Sequence, residues 1–272
     1  MTSTAMLDPA RGKVFDDPDI VRCYRCRPPY SPGLYDFLLE RTRGRGRALD
    51  LGCGPGKIAR VLADRFEVVD AVDSAAGMLA LGRELDAGAH ANIAWTEASA
   101  EEAELSGPYD LITAGASLHW TRHETVFPKL AAALAPDGVL AVISGDGAFE
   151  PAWDADWRDF LAGWLARLGR NYDEKGFGAA MTAHEAWMDV VGRQTFLSEV
   201  EQDVEDFIDC QHSRESLARA RMPGGLAAQF DEGLRRILRR HAEHGRLRYR
   251  VCSWLVWGKP RAVRIDAGAP AR

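Results

Sequence analysis

The stretch Ala48-Leu49-Asp50-Leu51-Gly52-Cys53-Gly54-Pro55-Gly56 ends an apolar run in an acid and then sets three glycines at every second position. Such a run turns a buried strand sharply into a helix and lets a ligand touch the backbone. Lys57 to Arg65 then reads as helix, with Ile58, Val61 and Leu62 on one face. A second apolar run, Val68-Val69-Asp70-Ala71-Val72, ends in Asp73. An acid at that distance can bind the hydroxyls of a ribose. The dinucleotide fingerprint G-x-G-x-x-G shares this logic, but here Lys57 stands where its third glycine would be. Spacing alone therefore leaves the nucleotide open. A third group, His119-Trp120, offers an imidazole and an indole N–H, and the indole is a donor with no acceptor to repel an anion.

The segment Val72-Asp73-Ser74-Ala75-Ala76-Gly77-Met78-Leu79 resembles the second motif of class I S-adenosylmethionine (SAM) methyltransferases, D-x-S-x-x-M-L. Ala98 to Glu102, Tyr109 to Thr113 and Leu134 to Leu140 resemble the later motifs of that family, in order and at the usual distances. The resemblance covers residues 20–145 most strongly. It implies SAM as cofactor, with S-adenosylhomocysteine as product. It also implies that Asp50, Gly52, Cys53 and Gly54 cradle the methionyl part and that Asp73 holds the ribose. Ser74 and Met78 would lie against ribose and adenine, with Ser99, Ala100 and Glu101 at the adenine edge. The family often carries an acid where this chain has Ser99. Ala114 and Ala116 would pass along the methionine side by backbone.

Two further stretches narrow the resemblance. Tyr24, Arg27, Pro28 and Tyr30 are similar to an opening segment found in relatives of trans-aconitate methyltransferase. There it lies across the cofactor, which would place Tyr24 and Arg27 on SAM and Tyr30 at the acceptor. An arginine fork also matches the SAM carboxylate. Ala116-Ser117-Leu118-His119-Trp120 is similar to a stretch of several small-molecule methyltransferases in which the tryptophan, and in some the histidine, faces a substrate carboxylate. A carboxylate is already ionised at neutral pH, so orientation and desolvation suffice for its methylation. Holding donor and acceptor in line can be worth about 7–11 kcal/mol. O-methylation of a small carboxylate is the leading expectation. Two alternatives stay open: another small-molecule acceptor with His119 as general base, and a SAM-binding protein that transfers nothing.

These groups need a frame. Strand patterns at about 47–51, 67–72, 92–96, 110–114 and 138–144 alternate with helical ones. Alternation predicts a parallel sheet with helices on both faces, and the resemblance implies a Rossmann-like α/β fold with a seven-stranded, mostly parallel sheet. Ligands of such sheets bind at the carboxyl ends of the strands. The expected organisation is a lid segment over 1–33, a SAM-binding core over 34–149 and a helical cap over 150–194. The rest of the core follows over 195–261, then a disordered tail over 262–272. In the cap, Trp153, Trp157, Phe160, Leu161 and Trp164 follow helical spacing, and Trp187 comes later. One aromatic face could pack on the core, enclose the acceptor, or both, with Trp153, Trp157 and Trp187 as the candidate substrate contacts.

Bulk properties exclude other classes. The chain has 272 residues, 46% of them hydrophobic, and a net charge of −6. An acidic balance argues against a nucleic-acid partner. The start of the chain lacks a basic and then apolar leader, and no apolar run approaches membrane-spanning length, so a cytoplasmic protein with no membrane partner is expected. The pair Cys23 and Cys26 has no matching second pair for zinc, and His119 and His123 lack a third ligand, so no metal is expected.

Overall fold

The computed structural model describes residues 14–169 and 174–264, with the backbone alone over 174–177. Eight strands form one sheet: β1 (Arg47–Leu51), β2 (Val68–Asp73), β3 (Ile93–Glu97), β4 (Tyr109–Gly115), β5 (Leu134–Ser144), β6 (Ala148–Phe149), β7 (Met188–Asp203) and β8 (Arg246–Pro260). Their order is β3-β2-β1-β4-β5-β8-β6, with β7 paired to β8. The first five strands are parallel, whereas β6 and β7 run antiparallel to β8 and β8 antiparallel to β5. The sheet is thus the expected Rossmann-like one, with the two-residue β6 as an extra member.

Nine helices are described around it: α1 (Pro18–Tyr24), α2 (Pro32–Arg41), α3 (Ala59–Ala63), α4 (Ala76–Asp86), α5 (His123–Ala133), α6 (Asp154–Arg167), α7 (Glu174–Thr182), α8 (Val204–His212) and α9 (Leu226–Leu238). Alternation along β1 shows why both faces are covered. Ala48 packs in one core with Leu34, Leu38, Ala59 and Leu62, while Leu49 and Leu51 pack in the opposite core with Val126, Phe127 and Leu130. A third core lies under the cap, where α6 meets α8, α9 and β8.

α1 starts where Asp17 caps it, accepting from the backbone N–H of Asp19 at 2.8 Å, with Pro18 as first helical residue. Its Ile20 is buried against Ala75, Met78 and Ala218, so it covers the start of α4. Burial of that side chain is worth about 1.5–3 kcal/mol. The sequence stretch assigned to the cap contains α6 and α7, but β7 begins at Met188, so its first residues belong to the sheet. The expectation of a disordered tail falls mostly on residues outside those described.

Candidate functional site

The sheet order reverses between β1 and β4, and the glycine loop, Asp73, the Ser99–Glu101 turn and Ala114 to Trp120 stand at the carboxyl ends of β1 to β4. Asp50, near the end of β1, is buried; its Oδ2 accepts from the Ala59 N–H at 3.0 Å and its Oδ1 from the Thr113 hydroxyl at 3.0 Å. Burial pushes its carboxyl up to about 7, against those two hydrogen bonds. Asp50 therefore ties β1, β4 and the start of α3 together beneath the loop. The loop turns back at Gly52, whose φ is +68°, and a Cβ there would stand 2.4 Å from the Ser117 Cβ. The N–H groups of Gly52 and Cys53 both reach the Val72 carbonyl, at 2.8 and 2.9 Å. Gly54 also has positive φ, and its bare Cα faces the Tyr24 ring.

Asp73 locks this loop to β2. Its Oδ2 accepts from the Gly54 N–H at 2.7 Å and its Oδ1 from the Ala75 N–H at 2.9 Å. Burial raises its pKa against these bonds. Each oxygen keeps acceptor capacity for a hydroxyl, as a diol requires. Ser74 beside it is exposed. Met78 is 1% exposed and packs with Ile20 of α1, Ala75 and Ala218.

Above the loop stands an ionic cluster. Asp146, just after β5, faces Lys57 Nζ at 3.0 Å, Arg27 at 3.6 Å and Arg214 at 3.9 Å. Burial would push Asp146 up, but the three cations override it and hold its carboxyl far below the usual carboxylate range. Burial lowers the Lys57 pKa, with Asp146 opposing. Lys57 also donates to the Pro28 carbonyl at 2.7 Å and lies 4.9 Å from the Tyr30 ring centre. Arg27 stacks on Tyr24 at 4.0 Å and donates to the hydroxyl and carbonyl of Ser213, each at 2.8 Å. One acid thus faces three cations. A small cavity beneath Tyr24 is lined by Tyr30, Asp50, Gly52, Cys53 and Lys57.

On the β4 side, Ala114 is fully buried, and Ala116 adopts φ of +51°, unusual for a residue with a side chain. Ser117 donates to the Leu51 carbonyl at 2.6 Å, fixing the turn Leu118–Trp120 over the end of β1. His119 lies 4.9 Å from Trp120, and Phe15, just before α1, meets Trp120 edge-on at 5.7 Å. Burial, then the charges of His184, His123 and Arg27, lowers the His119 pKa to about 4. At the end of β3, the Ser99 hydroxyl is spent on Glu102 at 2.9 Å, and Glu101 accepts from the Arg122 N–H at 2.7 Å. Ala100 follows the same turn, its carbonyl reached by Lys129.

The tryptophans divide. Trp187 stacks on Phe127 at 5.9 Å, next to the Leu118–Trp120 turn. Trp153 is 2% exposed among Phe207 and Tyr249, and Trp157 packs with Phe160 in that same cap core. The expected substrate contacts of Trp153 and Trp157 are therefore corrected: helical spacing marks a buried face, and that face is covered by α8, α9 and β8. Sequence reasoning missed Lys57, Asp146 and Arg214. Lys57 adjoins the glycine run and Asp146 sits in Gly145-Asp146-Gly147 at a strand end, which are usable signals; Arg214 carries none.

The comparisons agree with this geometry. Residues 48–138 match the family described as a methyltransferase domain. That stretch is a methyltransferase domain. The chain is 39% identical over 133 residues to a trans-aconitate 2-methyltransferase of Delftia acidovorans, covering 42% of this chain and 48% of that protein. It is 29% identical over 223 residues to one of Escherichia fergusonii, covering 67% and 87%. The matches to the first three relatives span only 48%, 59% and 66% of those proteins. A solved chain from Anaeromyxobacter dehalogenans, proposed as a type II methyltransferase, superposes with a TM-score of 0.68 at 22% identity, over 88% of this chain and 99% of that one. It shares the fold. The strand-end loop with bare Gly54, and Asp73 with acceptor capacity left on both oxygens, could hold a nucleoside cofactor by its ribose diol. Among the described residues no helix is long and apolar enough to cross a membrane, and no cluster of His, Cys, Asp or Glu is placed to hold a metal ion.

Proposed function

We propose that the protein transfers a methyl group from SAM to a carboxylate of a small molecule. Bound SAM would supply the electrophilic methyl. Gly52, Cys53 and Gly54 would carry its methionyl part, Asp73 its ribose hydroxyls, and Arg27 with Lys57 its carboxylate. Asp50 would act from below, by fixing the loop. Ser74 would border the ribose, and the Ser99–Glu101 turn and Ala114–Ala116 would border adenine and methionine by backbone. The acceptor would sit against His119 and Trp120, with Tyr30 and Trp187 at its margins and Phe15 excluding water.

The observation that carries the acceptor class is the charge balance left once SAM is bound: its carboxylate and Asp146 offset two of the three cations, and one positive charge remains for an acceptor. Arg27, Lys57 and Arg214 share a single acid, Asp146, in a buried position over the loop. Such an excess favours anionic ligands. The names of the relatives support the same class. Neutral His119 also leaves a second reading, in which it deprotonates a hydroxyl or amine acceptor.

The two separate by pH. With a carboxylate acceptor, kcat at saturating acid shows no ionisation between about pH 6 and 8. With a protonated acceptor, kcat follows an ionisation. The test is methyl ester formation from trans-aconitate and a panel of carboxylic acids, with phenols and amines beside them. Esters formed by the wild type and lost in Trp120→Ala support the proposal. Methylated phenols or amines alone, or S-adenosylhomocysteine formed with none, contradict it.

A further inference from the structure

His184 is the least accounted-for polar group in the protein. It lies in the turn Ala183–Trp187 between α7 and β7, and is 2% exposed. Its ring is hydrogen-bonded to the Met181 backbone, yet the buried Nε2 has no hydrogen-bond partner among the described residues. Buried polar atoms are nearly always paired, so an unpaired one needs an explanation. The surroundings offer one. The Ala183–Trp187 turn packs on the Leu118–Trp120 turn, which presents His119. α7 packs on that turn as well. The His184 ring is thus near enough for its charge to act on His119, beside the turn proposed above to face the acceptor.

The charged groups around them are few. Glu185, ion-paired with Arg193, and His123 face His184; His123 and Arg27 face His119. His123 itself is engaged by the Leu118 carbonyl at 3.0 Å. Burial dominates at both rings and lowers each to about 4, so both are neutral at pH 7. A neutral ring bonded to a carbonyl through its Nδ1–H shows a lone pair at Nε2. An arriving anion favours the protonated ring, which is a donor at both nitrogens.

We propose that His184 completes the acid-binding site of the acceptor beside His119, its Nε2 taking one proton from solvent as a substrate carboxylate binds and keeping it in a hydrogen bond to that carboxylate. The inference rests on the carboxylate reading of the acceptor. His184 is thereby a binding and positioning residue contributed by the cap, and acid binding is coupled to proton uptake.

The experiment is calorimetry of trans-aconitate binding to protein saturated with S-adenosylhomocysteine. It is run near pH 7 in two buffers of different ionisation enthalpy, and then at a second pH. The wild type should take up about one proton per acid. His184→Phe should lose that uptake and bind about tenfold or more weakly. It should also lose the extra pH dependence of Kd, up to about tenfold per pH unit for one proton; the difference between the proteins removes the acid's own titration. His184→Gln, which donates without protonation, should keep most of the affinity and show no uptake. Unchanged Tm and S-adenosylhomocysteine affinity establish that the variants fold, and if His184→Phe does not fold, His184→Gln decides. Wild-type binding without uptake overturns the proposal, as does uptake that persists in the variants, and both leave the carboxylate reading intact. Failure of the wild type to bind trans-aconitate or any other acid of the panel overturns both.

Discussion

Asp73 and Gly52 carry the sharpest expectations at the scale of single residues. Asp73 holds Gly54 and Ala75 while keeping lone pairs for a diol. Asp73→Ala should weaken SAM binding by at least tenfold, read by calorimetry, because it removes a charge-assisted acceptor and frees the loop. Gly52→Ala meets two obstacles, φ of +68° and a Ser117 Cβ at 2.4 Å. It should cost stability, about 1–3 kcal/mol in denaturant titration; a wild-type midpoint would show that the loop has room. His119 and His184 set a pH dependence. Both have folded pKa values near 4, below the 6.5 of a free imidazole. The unfolded chain then binds protons that the native state refuses, so stability is full above about 6.5 and declines as pH falls toward 4. His184→Gln should flatten that decline in thermal melts across the window.

Among the elements, α1 is held in place by ion pairs to α8 and to Arg219. Arg22 reaches Asp209 of α8 at 2.7 Å, and Arg219 binds Asp209 at 2.6 Å and Asp19 at 3.3 Å. Gln202 of β7 donates to the Cys26 carbonyl at 2.6 Å. Each exposed pair is worth only about 0.2–1 kcal/mol and is weakened by salt. Arg219→Ala or high salt should therefore speed S-adenosylhomocysteine release several-fold in stopped flow; an unchanged rate would mean that α1 does not gate the cleft. The elements differ in how well the sequence foretold them. β1 to β4 are apolar runs bounded by polar breaks, and their limits lie within about two residues of the expected ones. The start of β5 was read late, because Pro136-Asp137-Gly138 looks like a turn and yet lies within the strand. The first residues of β7 fall in the stretch expected as cap, since its edge alternation begins in residues that also fit a helix. Trp153 and Trp157 show a limit of another kind: periodicity reports that a helix face is buried, not which element covers it.

Across the whole molecule, Asp146 joins pieces that are distant in sequence: the N-terminal segment through Arg27, the glycine loop through Lys57 and the C-terminal half through Arg214. No local pattern announces such a hub, because its partners meet only in the folded chain. Asp146→Asn leaves the buried Arg27 and Lys57 without their acid and should cost about 3–5 kcal/mol in urea unfolding. A depressed carboxylate pKa gives stability that is complete above the unfolded value of 3.8 and is lost as pH falls below it, so the variant should also lose part of the acid-denaturation slope. The same excess of charge underlies the proposed chemistry, and methyl transfer tests it most directly. Protein with methyl-labelled SAM and the panel of acids should yield labelled methyl ester and one S-adenosylhomocysteine per ester, with no ester from Asp73→Ala. Label that stays on SAM, or passes only to phenols and amines while SAM binds normally, would contradict the carboxylate account.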